Sequence, residues 1–206
     1  MSSFDERAAT WDDDPAKVER ARAVAESIRE SVRPSSSMRL LEYGAGTGLV
    51  SQDLAADVGP ITLADPSAGM REVMRAKVAN GALPDSTRIW DLDLSTGQVP
   101  DERFDLIATV MTLHHISDLT PVLAAFAHML DDHGRLCVVD LVEEDGSFHG
   151  GGDLHAHNGF DTEDMARRLD AAGLADVSIH RTYDMVRDGV TYPLFLATAT
   201  KSGPRS

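Results

Sequence analysis

The sequence predicts an α/β protein built on a mostly parallel sheet, and three observations carry that reading. Apolar runs of strand length alternate with helical patterns along the chain, the rhythm of successive βα units. The runs lack polar alternation, as strands covered on both faces should. The chain has 206 residues, no internal repeat and no linker that would set off a second domain, which is the size of one folded unit.

The elements follow in order. In DDDPAKVERARAVAESIRESV, Asp14 can cap a helix with Pro15 in its first turn, and Val18, Ala21, Ala25, Ile28 and Val32 recur at helical spacing before Pro34 and serines 35 to 37 end it. Residues 1–37 are therefore an N-terminal helical segment, and 38–206 the body. The body opens with a strand in MRLLEY (38–43), a helix from about Leu49 to Ala56, a strand in ITLAD (61–65), a helix from Ala68 to Val78 and a strand in TRIWDL (87–92). A strand in FDLIATV (104–110), a helix opened by Thr120 and Pro121 and a strand in RLCVVDL (135–141) come next. Residues 142–160 are rich in Gly, His and acids and carry no period; loops of that length are usually functional or disordered, and this one is expected to wall an active site. Asp161 with Asp164 reads as a capping pair for a helix ending at Gly173, followed by strands at about 176–181 and 192–200.

Composition narrows the partners. The 34 acidic and 19 basic side chains give a net charge of −15, a field that repels nucleic acid and anionic membrane surfaces, and no basic patch counters it. The single cysteine, Cys137, lies in an apolar run and is expected to be a buried, inert thiol, so neither a disulfide framework nor a cysteine-rich metal site is expected. The start MSSFDERAATWDDD has neither a basic region nor an apolar core, and no window approaches about 18 apolar residues. The expectation is a soluble, cytoplasmic protein.

The most informative stretch is LLEYGAGTGLVSQDLA, Leu40 to Ala55, where three glycines lie two apart between a strand and a helix. Glycine lets a ligand approach the main chain where a Cβ would block it, and the carboxyl end of a strand in an open α/β sheet is where ligands bind. The spacing is not that of a dinucleotide fingerprint, because Leu49 stands where the third glycine of G-x-G-x-x-G belongs. It is not that of a triphosphate loop either, since Leu49 and Val50 follow Gly48 where Lys and Ser or Thr are required, and no Lys or Arg lies between Leu40 and Ile61. Asp65 closes the second strand, 21 residues after Gly44, where a carboxylate accepts from both hydroxyls of a ribose. The ligand these residues describe is a nucleoside without a large phosphate load.

With those residues in view, the chain resembles the class I S-adenosylmethionine-dependent methyltransferases. LLEYGAGTG is similar to their first motif, LADPSAGM (63–70) to their second-strand acidic motif, FDLIATVMTLHHISD (104–118) to the fourth strand and its loop, and HMLDDHGRLCVVDL (128–141) to the next helix, turn and strand. The resemblance implies a Rossmann-like seven-stranded sheet, mostly parallel with an antiparallel last strand and helices on both faces. It also implies an enzyme that moves a methyl group from S-adenosylmethionine to O, N or C of a small molecule, leaving S-adenosylhomocysteine. By the same resemblance Glu42, Tyr43, Gly44, Ala45, Gly46 and Gly48 would hold the methionine end of the cofactor, with Glu42 near its amino group. Asp65 would grip the ribose, Pro66 and Met70 would flank the adenine, Asp93 with Leu94 beside it would meet the adenine amino group, and Val110 and Met111 would line the sulfonium. Asp91 is close enough to Asp93 to be confused with it, and Met70 also reads as plain core. Two other readings stand beside this one: a module that binds the nucleoside without turnover, and a nucleotide-dependent oxidoreductase, against which the glycine spacing argues.

The acceptor end is less sharply drawn. Methyl transfer from a sulfonium needs a base only when the nucleophile must lose a proton. His149, His155 and His157 in the 142–160 loop and His115 after the fourth strand are the candidate general bases, with a structural role the alternative for His114 and His115. His155 and His157 are two apart with no further ligand pair at recognisable spacing, so no metal is expected. Phe4 and Trp11 resemble the aromatic pattern that small-molecule members place over the cofactor as a lid, and equally suit a staple for the first helix. Tyr192 and Phe195 read as sheet core.

Overall fold

The computed structural model describes residues 3–149 and 156–203. The chain divides after Asp93 into two compact units. The first runs α1 (Ser3–Arg7), a 3-10 stretch (Ala8–Asp13), α2 (Pro15–Val32), β1 (Leu40–Tyr43), α3 (Leu49–Leu54), β2 (Ile61–Ala64), α4 (Ala68–Ala79) and β3 (Arg88–Trp90). The second runs β4 (Phe104–Val110), α5 (Thr120–Met129), β5 (Leu130–Leu141), α6 (Thr162–Ala171), β6 (Leu174–Arg187) and β7 (Val190–Lys201). The strands form a seven-stranded sheet in the order β3-β2-β1-β4-β5-β7-β6. β7 runs antiparallel to its neighbours β5 and β6, while β1–β2, β2–β3 and β4–β5 pair in parallel.

In the first unit the sequence signals operate as read. Asp14 accepts from the Ala16 amide to cap α2, and Ala21, Val24, Ala25, Ile28 and Val32 form its buried stripe. Burying a side chain such as Ile28 stabilises by about 2 kcal/mol. β1 and β2 are buried at every position, which explains their missing polar alternation. α1 and the 3-10 stretch have too few residues to show a period. They are held instead by the Asp5 carboxylate, which accepts from the Ser67 hydroxyl (2.6 Å) and the Gly69 amide (3.0 Å) at the start of α4.

In the second unit β5 begins five residues earlier than the apolar run suggests, because Leu130 pairs with Phe104 ahead of an irregularity that restores register at Leu106 and Arg135. β6 and β7 also reach further toward each other than expected. Asp188 and Gly189, both with positive φ (52° and 78°), make the two-residue turn that joins them into a hairpin. Tyr192 and Phe195 are core residues. Burial pushes the Cys137 thiol up to about 12, which makes it inert. Among the described residues, no helix is long and apolar enough to cross a membrane.

Candidate functional site

The turn after β1 uses its glycines in two different ways. Gly44, Gly46 and Gly48 all have positive φ (67°, 57° and 77°). A Cβ on Gly48 would sit 2.9 Å from Leu63 Cδ1, so this residue is small to let α3 pack on β2. A Cβ on Gly46 would meet nothing within 4 Å: the chain is bare there toward open space. The Gly46 amide donates to Asp65 Oδ2 (2.8 Å), while the Ser67 amide donates to Asp65 Oδ1 (2.8 Å). Both oxygens of Asp65 are thereby oriented, and the residue is 8% exposed. Burial raises its pKa, against the two amide bonds and the charge of Arg71, which lower it.

Glu42, at 3% exposure in β1, accepts from the Ser51 amide (3.0 Å) and the Ser51 hydroxyl through Oε2. Burial nonetheless lifts its pKa to about 7, and the Lys77 charge only partly offsets that. Lys77 and Arg71 are the cations that the turn itself lacks. Both project from α4 and are buried, Lys77 paired with Asp12 Oδ2 at 2.6 Å. Asp12 Oδ1 also accepts from the Thr47 hydroxyl inside the glycine turn, so the N-terminal stretch is tied to the site at Asp12 as well as at Asp5. Phe4 and Trp11 pack together at 6.2 Å with the Arg7 guanidinium over both rings, and Lys17 Nζ lies 4.1 Å from the Trp11 ring centre. Of the other candidates in this unit, Tyr43, Ala45 and Met70 are buried, Pro66 is exposed and Asp93 is half-buried. Asp91, the neighbour liable to confusion with Asp93, is engaged by Arg71 in a two-bond fork.

In the second unit Leu94 is fully buried and Val110 and Met111 are half-buried. Met111 has a positive φ of 54° just past the carboxyl end of β4, with its amide on the Val139 carbonyl (2.8 Å). Such a backbone is uncommon for a non-glycine residue and concentrates at functional sites. The next turn carries Leu113–His115. His114, 1% exposed, meets Asp140 through Nδ1 and Oδ1 at 2.6 Å, and Asp140 Oδ2 accepts the amides of Leu113 (3.0 Å) and His114 (3.3 Å). The His115 and His149 rings lie 4.0 and 5.1 Å from the His114 ring and 5.6 Å from each other.

His149 is delivered by a braced loop. Val142 bridges to Phe160, Glu144 N donates to the Asn158 carbonyl, and Phe148 packs between the His149 and Tyr192 rings with Ser147 bonded to the Tyr192 hydroxyl. Two of the four candidate bases, His115 and His149, are brought together. His157 instead has its Nε2 on the Ile116 carbonyl (2.9 Å) and its ring against Phe160, and its amide donates to the His114 carbonyl. His155 lies outside the described residues. Among the described residues, no group of three or more His, Cys, Asp or Glu is arranged to hold a metal. Sequence reasoning missed Asp140, Arg71 and Lys77. The one available signal was a charge in an otherwise buried pattern: Asp140 interrupts the apolar run RLCVVDL one residue before its end, and Arg71 and Lys77 fall on the buried face of α4.

Comparison with known proteins adds to this geometry. Residues 16–179 match the family model described as a methyltransferase domain. An uncharacterized methyltransferase of Schizosaccharomyces pombe is 29% identical over 160 residues, 70% of this chain and 56% of that protein. The chain spans about half the length of the curated relatives it matches. Among solved structures, a complex of the Haloferax volcanii Trm112 methyltransferase activator with a putative methyltransferase aligns with a TM-score of 0.81 at 15% identity, covering 98% of this chain and 99% of that one. DhpI, solved in complex with SAH, aligns with a TM-score of 0.70 at 21% identity over 98% of this chain and 94% of that one. Those two likenesses speak for the fold, and the domain match covers most of the chain. On that match, this chain belongs to the class I S-adenosylmethionine-dependent methyltransferase family.

Proposed function

We propose that this chain transfers the methyl group of S-adenosylmethionine to O, N or C of a small molecule. The observation that carries the reading is the bare main chain at Gly46, open above and flanked by two buried carboxylates, Glu42 and Asp65, that amides hold in place. That pair of acceptors suits a ligand with an ammonium group and a ribose diol, and the turn itself carries no Lys or Arg for a polyphosphate. S-adenosylmethionine supplies a methyl group on a sulfonium whose sulfur is a good leaving group, so what the chain contributes is grip and alignment.

In this reading Glu42, with Tyr43, Gly44, Ala45, Gly46 and Gly48, holds the methionine end, Asp65 accepts from the ribose hydroxyls, and Pro66, Met70, Asp93 and Leu94 serve the adenine. Val110 and Met111 are assigned to the sulfonium, and Phe4 and Trp11 to a lid. For acceptors that must lose a proton, we assign its removal to His115. Its ring is half-buried rather than enclosed, and it follows β4 at the strand end where ligands of α/β sheets bind. His149 is its neighbour in that role.

Calorimetric titration of the cofactor-stripped protein with S-adenosylmethionine, S-adenosylhomocysteine and NADH tests the reading. Micromolar binding of the first two alone is expected; no binding by folded protein would overturn it. Formation of S-adenosylhomocysteine in the presence of a pool of small-molecule acceptors then separates an enzyme from a module that only binds. His115→Ala is expected to lower that turnover by about 100-fold for hydroxyl acceptors while leaving S-adenosylhomocysteine affinity within about twofold.

A further inference from the structure

We propose that Arg71 is a positioning residue of the cofactor site: by clamping the main chain of Asp65 to Asp91, it holds the Asp65 carboxylate where a ribose diol can be gripped. The inference rests on the cofactor reading above and concerns a residue that the family motifs in this sequence do not include.

The geometry is a two-sided clamp. Arg71 Nη1 donates to the Asp65 carbonyl (2.8 Å) and to Asp91 Oδ1 (3.0 Å), while Nη2 donates to Asp91 Oδ2 (2.8 Å). One guanidinium thus joins the residue that closes β2 to the one that follows β3, in the bidentate form that fixes direction as well as distance. The Arg71 amide donates to the Ser67 carbonyl (3.1 Å), and the Ser67 amide returns to Asp65 Oδ1. Asp65 is therefore held at its carbonyl by Arg71, at one carboxylate oxygen by Ser67 and at the other by Gly46.

Burial argues that this is more than a surface ion pair. Arg71 is 9% exposed although its partner Asp91 has a largely solvated carboxylate. An arginine needing only Asp91 could meet it in water at little cost. Instead the side chain is buried, with its Nε lacking a hydrogen-bond partner and its Nη atoms making three bonds. What the buried position gains is proximity to Asp65. Asp65 is faced by Arg71 from α4 and by two acids, Asp5 from α1 and Glu42 from β1, with Lys77 of α4 acting on Glu42. The Arg71 charge lowers the Asp65 pKa against burial and the Asp5 charge, and so keeps the carboxylate an acceptor. The sign follows: protonation of Asp65 removes acceptor capacity, so cofactor affinity falls as pH drops through its pKa. Without Arg71 that fall moves to higher pH.

The test is calorimetric titration of the full chain with S-adenosylhomocysteine at pH 7.5 and 5.5, for the wild type, Arg71→Met, Arg71→Lys and Asp91→Asn, with thermal melts to establish folding. A Glu42→Gln background removes the carboxylate whose pKa is raised to about 7. Arg71→Met is expected to weaken binding about tenfold or more at pH 7.5, and by at least as large a factor at pH 5.5. Arg71→Lys should restore the wild-type pH ratio but not the full affinity, because it keeps the charge and loses the fork. Asp91→Asn should weaken binding only a few-fold. Wild-type affinity in folded Arg71→Met, or a smaller loss at pH 5.5 than at pH 7.5, would overturn the proposal. Should Arg71→Met not fold, wild-type affinity in both Arg71→Lys and Asp91→Asn does the same. If Asp65→Asn abolishes binding while the Arg71 variants do not alter it, this inference alone fails; if the wild type does not bind S-adenosylhomocysteine, the cofactor reading fails and takes the inference with it.

Discussion

The glycine turn of the first unit and the histidine cluster of the second are built on opposite plans. Around Gly46 the chain exposes main chain and aims two carboxylates with amides from residues nearby in space and mostly nearby in sequence. Around His114, side chains from β5, from the turn after β4 and from a loop more than 30 residues further on converge on one another. The first plan suits a fixed ligand and leaves a spaced motif; the second can be re-equipped by changing a few side chains and leaves none. Substitutions at the first should therefore register in cofactor affinity, and substitutions at the second in stability and turnover.

The sharpest way to break that contrast is Gly46→Val. A β-branched side chain there enters the open space and is strained at a φ of 57°, so S-adenosylhomocysteine affinity is expected to fall at least about 100-fold in folded protein. Retained affinity would mean that the open face is not the ligand's. At the other end, Asp140→Ala leaves the buried His114 Nδ1 and the amides of Leu113, His114 and Leu141 without their acceptor. We expect it to cost about 3 kcal/mol in denaturant unfolding, with the affinity of the remaining folded protein unchanged. A loss of affinity with no loss of stability would reverse the assignment of the two regions.

Glu42 supplies a subtler test. Its pKa is near 4.5 unfolded and raised to about 7 when folded, so the native state holds a proton that the unfolded state has given up between those values. Stability therefore declines as pH rises from about 4.5 to 7, by up to about 3 kcal/mol, and Glu42→Gln should flatten that decline. Binding of a ligand ammonium beside Glu42 should expel the proton. Calorimetry of S-adenosylhomocysteine at pH 7 in buffers of different ionisation enthalpy is expected to show release of about half a proton, absent in Glu42→Gln. The smallest effect belongs to Gly48→Ala. Its φ of 77° and its contact with the movable end of Leu63 predict a cost of about 1 to 2 kcal/mol in stability, with affinity kept within about threefold.

The same contrast explains what the sequence disclosed. The strands from Leu40 to Val110, the helices and their caps at Asp14 and Asp161 follow from local patterns that the structure repeats nearly residue for residue. The glycine turn and Asp65 were legible because main-chain geometry dictates glycine at fixed spacing. The reach of β5 back to Leu130 was not, since it depends on pairing with Phe104 rather than on its own composition. Nor was the pairing of His114 with Asp140, 26 positions apart, or the service of α4 as the source of counter-charge for the turn. In each case the partner is chosen by the fold, and only an unexplained charge in an apolar pattern hinted at it.

The braced neck of the loop after β5 has a consequence for how such a protein changes over generations. Because Val142 bridges to Phe160 and Glu144 bonds to Asn158, the chain leaves and rejoins the body at one place, and Gly159 is pressed so close to Val142 that a side chain there would collide with its carbonyl. The pairing of the neck itself therefore does not depend on how many residues lie between its two halves. Doubling their number costs only about 0.6 kcal/mol in closure entropy. Descendants can therefore change the length of that interval in one genetic event while the glycine turn, which lies elsewhere in the chain, is inherited intact.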